Sequence, residues 1–437
     1  MEHVQSWGRL SSEPHKVVRL HDPNVAESRI RSENPGLPYG MGRSYGDVCL
    51  NPGGTLWHTR GLDRFISFDE DEGVLTLESG VLLKEIQDLM VPRGWMLPVT
   101  PGTQMITVGG AIANDVHGKN HHIQGTFGHH LRNIRIVRTT GEIIDCGPQH
   151  REEWFRATIG GLGLTGLIQK ASIRLRRVAG PSLTVETIPQ DSLDDFFRIN
   201  SESEPCWEHT VSWIDCLSST PGRGIYLRAN HSLESHSKVR ANDRCRRMPF
   251  TPPVSLVSPW TLKPFNFAYD RMNRLRKGLS LQYYESYFYP LDKLLEWNRM
   301  YGPKGFFQYQ CVVPLKDGKW AVAEMLRTIA RSKMGSFLAV LKTFGDQPSI
   351  GDLSFPMEGI TLALDFPNQG DQSKKLFSRL DQILKDAQGR IYPAKDARMS
   401  PDLFRSGYPS LGHWLKFRDP GINSGFIRRM LEETNGD

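Results

Sequence analysis

The stretch with the clearest chemical potential is a glycine-rich run near the N-terminus. It reads, in order, Gly40, Met41, Gly42, Arg43, Ser44, Tyr45, Gly46 and Asp47. Glycine accepts positive φ and lets main-chain N–H groups approach a ligand closely, and successive N–H groups form a concavity that binds anions. Arg43 and Ser44 add a positive charge and a hydroxyl group. The run predicts a diphosphate site, although a plain glycine-rich turn fits it equally well when it is taken alone.

A second run of small residues favours the diphosphate interpretation. Residues 101–111 include Gly102, Thr103, Thr107, Val108, Gly109 and Gly110, and they are followed by Asn114, Asp115, His117 and Lys119. Two separated glycine loops, each able to hold a phosphate, fit a dinucleotide better than a mononucleotide.

A third glycine segment imitates a nicotinamide-binding motif. Residues 161–166 match the pattern G-x-G-x-x-G. A fingerprint of that type must follow a strand and open a helix. Here the segment follows a helical pattern and precedes an alternating strand. We therefore reject a nicotinamide site and keep the segment as a neighbour of a cofactor.

Histidines between residues 117 and 130 raise the question of a metal. His117 and His121 have the i, i+4 spacing with which a helix binds zinc. Gly118 and Asn120 lie between them and disfavour a helix, and the glutamate of the HExxH motif is absent. We expect no metal here, and favour a histidine in a loop between a cofactor and a substrate.

A short run late in the chain places a lysine beside an aromatic residue. Residues 391–398 contain Tyr392, Lys395 and Asp396. A lysine in a dry site loses its charge more easily and can act as a base or polarise an oxygen. A charged surface turn is the alternative, and spacing alone favours that alternative.

Composition limits the classes of protein to which these runs can belong. The chain has 437 residues, 38% of them hydrophobic, and its 54 basic and 48 acidic residues give a net charge of +6. A wholly disordered or collagen-like chain is excluded, and no nucleic-acid-binding module is recognisable. Six cysteines without a CxxC pair, and an N-terminus without an apolar signal core, predict reduced thiols in a cytoplasmic protein.

Two regions of different pattern must position the candidate residues. Up to about residue 180, the sequence predicts short strands, including 74–80 and 95–99, helices at 83–90 and 152–161, a hairpin at 131–146 and a strand at 167–178. From Pro181 onward, aromatic-rich strands with helices between them predict a second α+β unit on an antiparallel sheet. The tail from about residue 390 returns to short helices.

One apolar segment, residues 248–267, stands apart because it is rich in proline. Basic residues flank it: Arg240, Arg244, Arg246, Arg247, Arg271, Arg274, Arg276 and Lys277. Proline fixes φ and lacks an N–H group, so we predict no regular helix or strand there. The alternatives are a mobile lid that touches lipid or an anionic amphiphile, and a solvated surface loop.

Taken together, the motifs resemble those of one flavoprotein family. The runs GMGRSYGD, TPGTQMITVGGAIANDVHGKNHH, GLGLTG, FFQYQCVVP, LKTFG and YPAKDAR are similar to those of the decaprenylphosphoryl-β-D-ribose 2-oxidase family, within the vanillyl-alcohol-oxidase type of FAD-binding flavoproteins. The resemblance implies an α+β fold. A two-part PCMH-type FAD-binding domain, residues 1–180 and 390–437, would carry an inserted antiparallel-sheet substrate domain, residues 181–389.

The resemblance also implies where the cofactor lies. FAD would be held by Gly40 to Asp47 and by Gly102 to Gly110, with Asn114 to His117 along the flavin. Ile168 would lie near the adenine side and Tyr392 near the isoalloxazine. Many relatives attach the flavin to a histidine of the first glycine loop. This loop has none, so we predict non-covalent FAD.

The implied reaction is oxidation of a secondary hydroxyl, at C2, of a polyprenyl-phosphate-linked pentofuranose to the 2-keto sugar. It would be the first half of an epimerisation completed by a partner keto-sugar reductase. Lys395 and Tyr45 are the candidates for base and alkoxide stabiliser, supported by His117. The implied substrate pocket comprises Lys119, Gln308, Gln310, Lys342 and Lys395. Such a substrate would bring peripheral contact with the inner membrane.

Two residues depart from the family pattern. Ala363 stands where the mycobacterial enzymes have an active-site cysteine, and Thr361 stands where they have an asparagine. Inhibitors that trap the thiol should therefore form no covalent bond here. A soluble alditol, aldonolactone or nucleoside sugar remains an alternative substrate, and a flavin-bound protein without turnover is a further alternative. Oxygen and a membrane quinone are both open as electron acceptors.

Overall fold

The computed structural model describes residues 1–233 and 245–431 and contains three main sheets. The first is a small N-terminal sheet in which the last three strands run parallel. Its strands, in spatial order, are Glu2–Val4, Glu13–Arg19, Thr55–His58 and Gly36–Tyr39. The first glycine loop starts at the end of the Gly36–Tyr39 strand, which fixes its position against this sheet.

The second sheet is antiparallel and has five strands. They lie in the order Phe65–Asp69, Val74–Glu78, Leu167–Arg174, Leu131–Val137 and Ile143–Cys146. The alternating pattern that predicted the 74–80 strand is confirmed, because Leu75 and Leu77 are buried on one face. The predicted hairpin is confirmed as well, and Gly141 turns it with a φ of 91°.

The third sheet has eight strands, and its pairs are antiparallel. In spatial order they are Gly278–Tyr283, Ser182–Gln190, Gly224–His231, His209–Ile214, Ala339–Phe344, Gly359–Pro367, Phe306–Val313 and Arg390–Ile391. The long helices Leu193–Ser203, Leu315–Ser332 and Asp371–Asp386 contact one face of this sheet. The prediction of an antiparallel sheet after residue 181 is confirmed.

Shorter elements complete the fold. Two small strand pairs join Trp95–Met96 to Arg176–Arg177 and Arg246–Arg247 to Leu294–Leu295. The remaining α-helices are Pro23–Ser32, Leu83–Met90, Val108–Ala113, His121–Gln124, Glu152–Thr158, Pro259–Leu275, Tyr284–Phe288, Pro401–Gly407, Leu411–Trp414 and Gly425–Leu431. The 3₁₀ turns are Asp47–Cys49, Thr59–Gly61, Val91–Arg93, Phe127–His130, Trp297–Tyr301 and Pro393–Lys395. None of the helices described is long and apolar enough to cross a bilayer.

The prediction that proline prevents regular structure throughout 248–267 is wrong. A 17-residue helix, Pro259–Leu275, begins inside that segment. Pro259 occupies its first turn, where a missing N–H group costs nothing and the fixed φ suits a helix. Pro264 removes one hydrogen bond, and the helix continues through it. Of the flanking basic residues, Arg240 and Arg244 lie outside the described residues.

The C-terminal tail packs against the N-terminal sheet. The N–H of Gly36 donates to the carbonyl of Gly421 (3.0 Å), and the N–H of Asn423 donates to the carbonyl of Gly36 (3.0 Å). Arg429 forms ion pairs with Asp47 (2.9 Å) and Asp396 (3.0 Å). These contacts hold the glycine-rich loop and the segment around Lys395 in one assembly.

Candidate active site

A cavity of about 710 Å³ lies between the glycine-rich loops and the eight-stranded sheet. Its size is within the range of about 300–1,000 Å³ typical of sites for small molecules and cofactors. On one side it is bounded by residues 40–45 and 100–110, which we call the loop wall. On the other side it is bounded by the side chains of the sheet, which we call the sheet wall: Val211, Trp213, Leu227, Gln308, Gln310, Val340, Lys342, Thr361 and Ala363.

The two glycine loops of the loop wall touch each other. A Cβ atom on Gly40 would lie 2.5 Å from Oγ1 of Thr107, too close for any side chain. Gly42 has a φ of 58°, and a Cβ there would lie 2.2 Å from the Tyr39 hydroxyl. Gly102, in contrast, has no atom within 4 Å of its Cβ position. Glycine at 40 and 42 therefore permits close packing of the loop wall, and the open side of Gly102 leaves main chain accessible to a ligand such as a diphosphate.

Strand alternation builds the sheet wall. Gln308 and Gln310 lie two residues apart and face the cavity, while Tyr309 between them faces the helices and stacks on Phe377. The strand register places Gln308 opposite Asp365 and Gln310 opposite Ala363. Because side chains of a strand alternate between its two faces, these residues share one face of the sheet.

The end of the cavity that holds Lys395 also holds Tyr45. The ammonium of Lys395 lies 4.0 Å from the centroid of the Tyr45 ring. The N–H of Tyr45 donates to the carbonyl of Ala394 (3.0 Å), which keeps the two residues side by side. Nε2 of Gln308 contacts the Tyr45 hydroxyl (3.4 Å) and donates to Oδ1 of Asp365 (2.6 Å).

Burial and charge oppose each other in this group. Burial lowers the pKa of Lys395, and the negative charge of Asp365 opposes that change. Burial also raises the pKa of Asp365, and the Gln308 hydrogen bond and Lys395 oppose it. Burial, reinforced by Asp365, raises the pKa of Tyr45 well above its usual value. The site therefore combines a lysine that gives up its proton readily with a phenol that keeps its own.

His117 forms the link between the two walls. Its Nε2 lies 3.0 Å from Nε2 of Gln310. Because the amide nitrogen donates, Nε2 of the histidine accepts and Nδ1 carries the proton; the tautomer is assigned from this contact. Nδ1 is buried and has no partner among the described residues. Burial, with Lys342 adding to it, lowers the pKa of His117 well below its usual value, so the ring is neutral.

Two further lysines are half-buried without a counter-ion. Nζ of Lys119 donates to the carbonyl of Tyr287 and lies 4.2 Å from the centroid of that ring. Nζ of Lys342 donates to the carbonyl of Gly118 (2.7 Å). Burial lowers the pKa of each to about 7, and for Lys342 the charge of Lys119 adds to the effect. Within the described ranges neither ammonium pairs with a carboxylate, so this end of the cavity is suited to an anion.

The cavity offers the polar groups that a large, polar cofactor needs. Buried side-chain atoms without a partner in the described part of the chain include Nε of Arg43, Oγ of Ser79, Oδ1 of Asn114, Nδ1 of His117 and Oγ1 of Thr361, all on residues that line it. Buried polar atoms are almost always satisfied in folded proteins. A ligand with many donors and acceptors, such as FAD, would satisfy these, so the residues present fit that group.

Most of the residues singled out from the sequence meet in this cavity. Those that line it are Gly40, Gly42, Arg43, Ser44, Tyr45, Gly102, Thr103, Thr107, Gly109, Gly110, Asn114, His117, Lys119, Ile168, Gln308, Gln310, Lys342, Tyr392 and Lys395. Leu162, Gly163 and Gly166 of the rejected nicotinamide motif line it too. That segment runs from the Glu152–Thr158 helix to the Leu167–Arg174 strand, in the order that argued against a nicotinamide site.

Four of the predicted cofactor residues lie behind the loop wall instead. Asp47 forms an ion pair with Arg429, and Val108 is fully buried in the core. A Cβ on Gly46 would lie 2.0 Å from the carbonyl oxygen of Asp396, so this glycine serves close packing. Asp115 accepts hydrogen bonds from the N–H of Gly128 (2.9 Å) and from Ser354 (2.6 Å). Each of the four supports the wall by these contacts rather than lining the cavity.

Sequence reasoning missed Asp365 as a member of the site. It is fully buried, accepts a hydrogen bond from Gln308, and influences the pKa of both Lys395 and Tyr45. The alternation of Thr361, Ala363 and Asp365 in one strand indicates that the three side chains share a face of the sheet. Assigning that face to the site requires knowing that this strand pairs with Phe306–Val313.

His117 and His121 do not form a zinc motif. The helix begins only at His121, and His117 precedes it in a loop. Both rings contact Phe344, at centroid distances of 4.9 and 4.7 Å. Among the described residues, a group with metal-ligand spacing lies elsewhere, at Glu208, His209 and His231. Arg176 is already paired with Glu208 there, and a guanidinium repels a cation.

Comparison with known proteins gives three further findings. Residues 28–147 match a family model described as an FAD binding domain. The chain is 32% identical to decaprenylphosphoryl-beta-D-ribose oxidase of Mycolicibacterium smegmatis, over 98% of this chain and 97% of that protein. It is also 27% identical to D-arabinono-1,4-lactone oxidase of Eremothecium gossypii, over 46% of this chain and 40% of that protein. The glycine loop at 40–47 and the second loop at 101–111 both fall within the matched domain.

Proposed function

This chain belongs to the family of decaprenylphosphoryl-β-D-ribose oxidase, and we propose that it oxidises the C2 hydroxyl of a polyprenyl-phosphate-linked pentofuranose to the 2-keto sugar. That it is an FAD-dependent oxidoreductase acting on CH–OH groups of sugars follows from the family and from the FAD binding domain. The proposal concerns the substrate, the position oxidised and the residues that act.

The observation that carries the proposal is a pair of half-buried lysines that have no carboxylate partner among the described residues. Lys119 and Lys342 lie on the cavity, and the charge of one lowers the pKa of the other. A phosphate bound between them would raise the pKa of both lysines and keep both protonated, because an opposite charge favours protonation of an amine. A free sugar or lactone carries no such charge. The pair therefore favours a phosphorylated substrate over a soluble neutral one.

Lys395 and Tyr45 are proposed to handle the proton of the reacting hydroxyl. When bound, FAD supplies the acceptor for the hydride that leaves the carbinol carbon. Nζ of Lys395, in its neutral form, accepts the hydroxyl proton, and burial favours that form. The Tyr45 hydroxyl stays protonated and donates a hydrogen bond to the sugar oxygen as negative charge develops on it.

Gln308, Gln310 and His117 are proposed to orient the sugar ring. The two amides face the cavity from one strand. Gln310 holds His117 in the tautomer whose Nδ1–H is free to donate. A fixed array of donors positions a furanose so that only one hydroxyl reaches Lys395.

We further propose that FAD is bound without a covalent link. The first glycine loop offers Arg43, Ser44 and Tyr45 where tethering relatives have a histidine. Acid precipitation should release the flavin into the supernatant. Flavin that stays with the precipitated protein would contradict this.

The division of labour between parts of the chain is also a proposal. Residues 1–180 and 390–437 would hold FAD, and residues 181–389 would hold the substrate. The contacts of the tail with Gly36 and Asp47 support it. A partner keto-sugar reductase would consume the 2-keto product.

The test is anaerobic bleaching of the flavin absorbance with three sugars: a polyprenyl-phospho-ribose, the same ribose phosphate without the lipid, and free ribose. We expect rapid bleaching with the first, slower bleaching with the second and none with the third. Equal bleaching by free ribose or by an aldonolactone would contradict the proposal and favour a soluble substrate.

A further inference from the structure

The Pro259–Leu275 helix exposes several large apolar residues and buries polar ones beside Leu262. Its buried positions include Asn266 and Asp270. Nδ2 of Asn266 donates to Asp215 (2.7 Å), and Asp270 pairs with Arg223 (2.9 Å) and with Arg274 (2.9 Å). Leu262, Phe265 and Tyr269 add apolar contacts to the protein. The helix is thus attached by both polar and apolar contacts, and large apolar residues are still left on its outward side, where surface helices are normally polar.

Its outward stripe carries large apolar residues. Trp260 is 89% exposed, Phe267 is 71% exposed and Leu275 is 76% exposed. They follow one another at spacings of seven and eight residues, which keeps them on one side of a helix. Lys263 and Arg271 lie between them on the same side, also exposed.

The segments next to the helix in sequence also expose apolar side chains. Exposed apolar side chains flank the helix on both sides in sequence, at Phe250, Val254, Leu256, Leu279 and Leu281. Single exposed apolar residues are ordinary, but a continuous group of large ones marks an interaction surface. We call the exposed apolar and basic residues of 246–281 the outer face.

The outer face is strongly basic. Residues 246–281 contain seven basic residues, Arg246, Arg247, Lys263, Arg271, Arg274, Arg276 and Lys277, and one acidic residue, Asp270. Their net charge of +6 equals that of the whole chain. Asp270 is buried in its ion pairs, while Arg274 also pairs with Asp191 and Arg247 pairs with Glu296. The accessible positive charge comes from the remaining exposed residues, Arg246, Lys263, Arg271, Arg276 and Lys277. Large apolar residues between lysines and arginines are the composition with which helices lie on anionic bilayers.

The outer face adjoins the cavity. Tyr269 of the helix and Arg247 of the short Arg246–Arg247 strand both line the cavity. The Tyr269 ring lies 4.6 Å, between centroids, from the ring of Trp213 on the sheet wall. A molecule anchored in a bilayer beneath the outer face would therefore meet the cavity directly.

We propose that the outer face docks on an anionic lipid bilayer, with Trp260 and Phe267 inserted at the headgroup level and the basic residues in contact with lipid phosphates. The evidence for docking is the exposed apolar stripe of the Pro259–Leu275 helix and the positive charge around it. Its purpose, admission of the sugar phosphate to the cavity while the lipid tail stays in the bilayer, rests on the proposed function.

The experiment is co-sedimentation of the flavin-loaded protein with vesicles of phosphatidylcholine containing phosphatidylglycerol, compared with phosphatidylcholine alone. We expect binding to the anionic vesicles that is weakened by salt. The double variant W260S/F267S should bind at least about tenfold more weakly, because it loses most of the inserted apolar area. The variant K263Q/R271Q should lose the preference for anionic lipid.

A control is L315S/W320S, which removes an apolar pair, 48% and 52% exposed, from another helix. It should bind vesicles like the unmodified protein. Flavin absorbance and circular dichroism confirm that each variant is folded. Vesicle binding by W260S/F267S equal to that of the unmodified protein would overturn the proposal. So would a dimer in sedimentation velocity without lipid that only W260S/F267S dissociates, because a second copy would then be the occupant.

The docking proposal and the proposed substrate are tested by separate measurements. Vesicle binding is measured without substrate, and flavin reduction is measured with substrate dispersed in detergent. Binding without reduction would refute the proposed substrate alone. Reduction without binding would refute the docking alone.

Discussion

The two walls of the cavity are made by opposite means. The loop wall presents main chain, and two of its glycines leave no room for a side chain: a Cβ at Gly40 or Gly42 would collide with Thr107 or Tyr39. The sheet wall presents side chains from alternate positions of neighbouring strands, and each can change without moving the strand. The loop wall is therefore suited to one fixed ligand, and the sheet wall to a ligand that differs among relatives.

The positions at which this chain departs from its family fit that difference. Thr361 and Ala363 both lie on the sheet wall. The glycines that match the family's pattern lie on the loop wall. Changes in the sheet wall should accordingly alter the reaction with the sugar and leave FAD binding intact, and changes in the loop wall should do the reverse.

The largest expected effect is that of Lys395→Ala, at the point where the walls meet. The variant should keep its flavin but be reduced by substrate about 10²–10⁴-fold more slowly, because the hydroxyl proton loses its acceptor. Anaerobic stopped-flow measurement of flavin absorbance tests this, with the exposed Lys374→Ala as the control. Near-normal reduction would remove Lys395 from its role.

On the loop wall, Gly40→Ala should act on the cofactor instead. Its Cβ would lie 2.5 Å from Oγ1 of Thr107 and force the two glycine loops apart. Overpacking of this kind costs about 1–3 kcal/mol, so FAD affinity should fall by about 5- to 150-fold. Fluorescence titration of the flavin-free protein measures it. Gly412→Ala, where a Cβ meets nothing within 4 Å, is the matched control and should bind FAD normally.

On the sheet wall, Lys342→Met should weaken the binding of phosphorylated substrate and leave FAD affinity unchanged. A hydrogen bond to a charged group contributes about 1.5–3 kcal/mol. The KM for a sugar phosphate should therefore rise by about 10- to 100-fold, while a neutral sugar, if it reacts at all, should be unaffected. An equal loss with both sugars would contradict the assignment of Lys342 to the phosphate.

Asp365→Asn should change the pH dependence of flavin reduction. Lys395 acts only in its neutral form, so the rate rises with pH through the pKa of that lysine. The Asp365 charge holds this pKa up. Asparagine keeps the acceptor for Gln308 but removes the charge, so the pKa of Lys395 should fall. The ascending limb of the plot of reduction rate against pH should therefore move to lower pH. A limb that stays in place, or moves to higher pH, would show that Asp365 does not act on Lys395.

The smallest expected effect is that of Ala363→Val. The residue lines the cavity opposite Gln310, and two added methyl groups would narrow the sugar site. We expect a change of a few-fold in KM and none in FAD affinity. A loss of FAD would show that the two walls are not independent.

Most residues of the loop wall could be predicted from the sequence, but fewer residues of the sheet wall could. A glycine-rich loop is recognisable from a short stretch of sequence, so residues 40–45 and 102–110 could be assigned to one ligand without knowledge of the tertiary structure. Asp365 could not be found in that way, because its proximity to Gln308 depends on the pairing of strands 57 residues apart. The family resemblance predicted that Asp47 and Asp115 contact the cofactor. Their actual partners, Arg429 and Ser354, lie hundreds of residues away.

The Pro259–Leu275 helix shows a second limit of sequence reasoning. Proline content argued against a helix, yet Pro259 stands at its first turn and the loss at Pro264 is tolerated. The pattern of the helix misleads too. Its buried residues include Asn266 and Asp270 as well as Leu262, and its exposed residues include Trp260 and Phe267, so hydrophobic periodicity does not identify the inward face.

The most direct test of the central claim is the anaerobic reduction of the bound flavin by polyprenyl-phospho-ribose deuterated at single ring carbons. We expect a primary isotope effect on the rate of flavin bleaching for deuterium at C2 and none for deuterium at C1 or C3, because the C2–H bond is the one that breaks. An isotope effect at another carbon, or bleaching with none at C2, would contradict it.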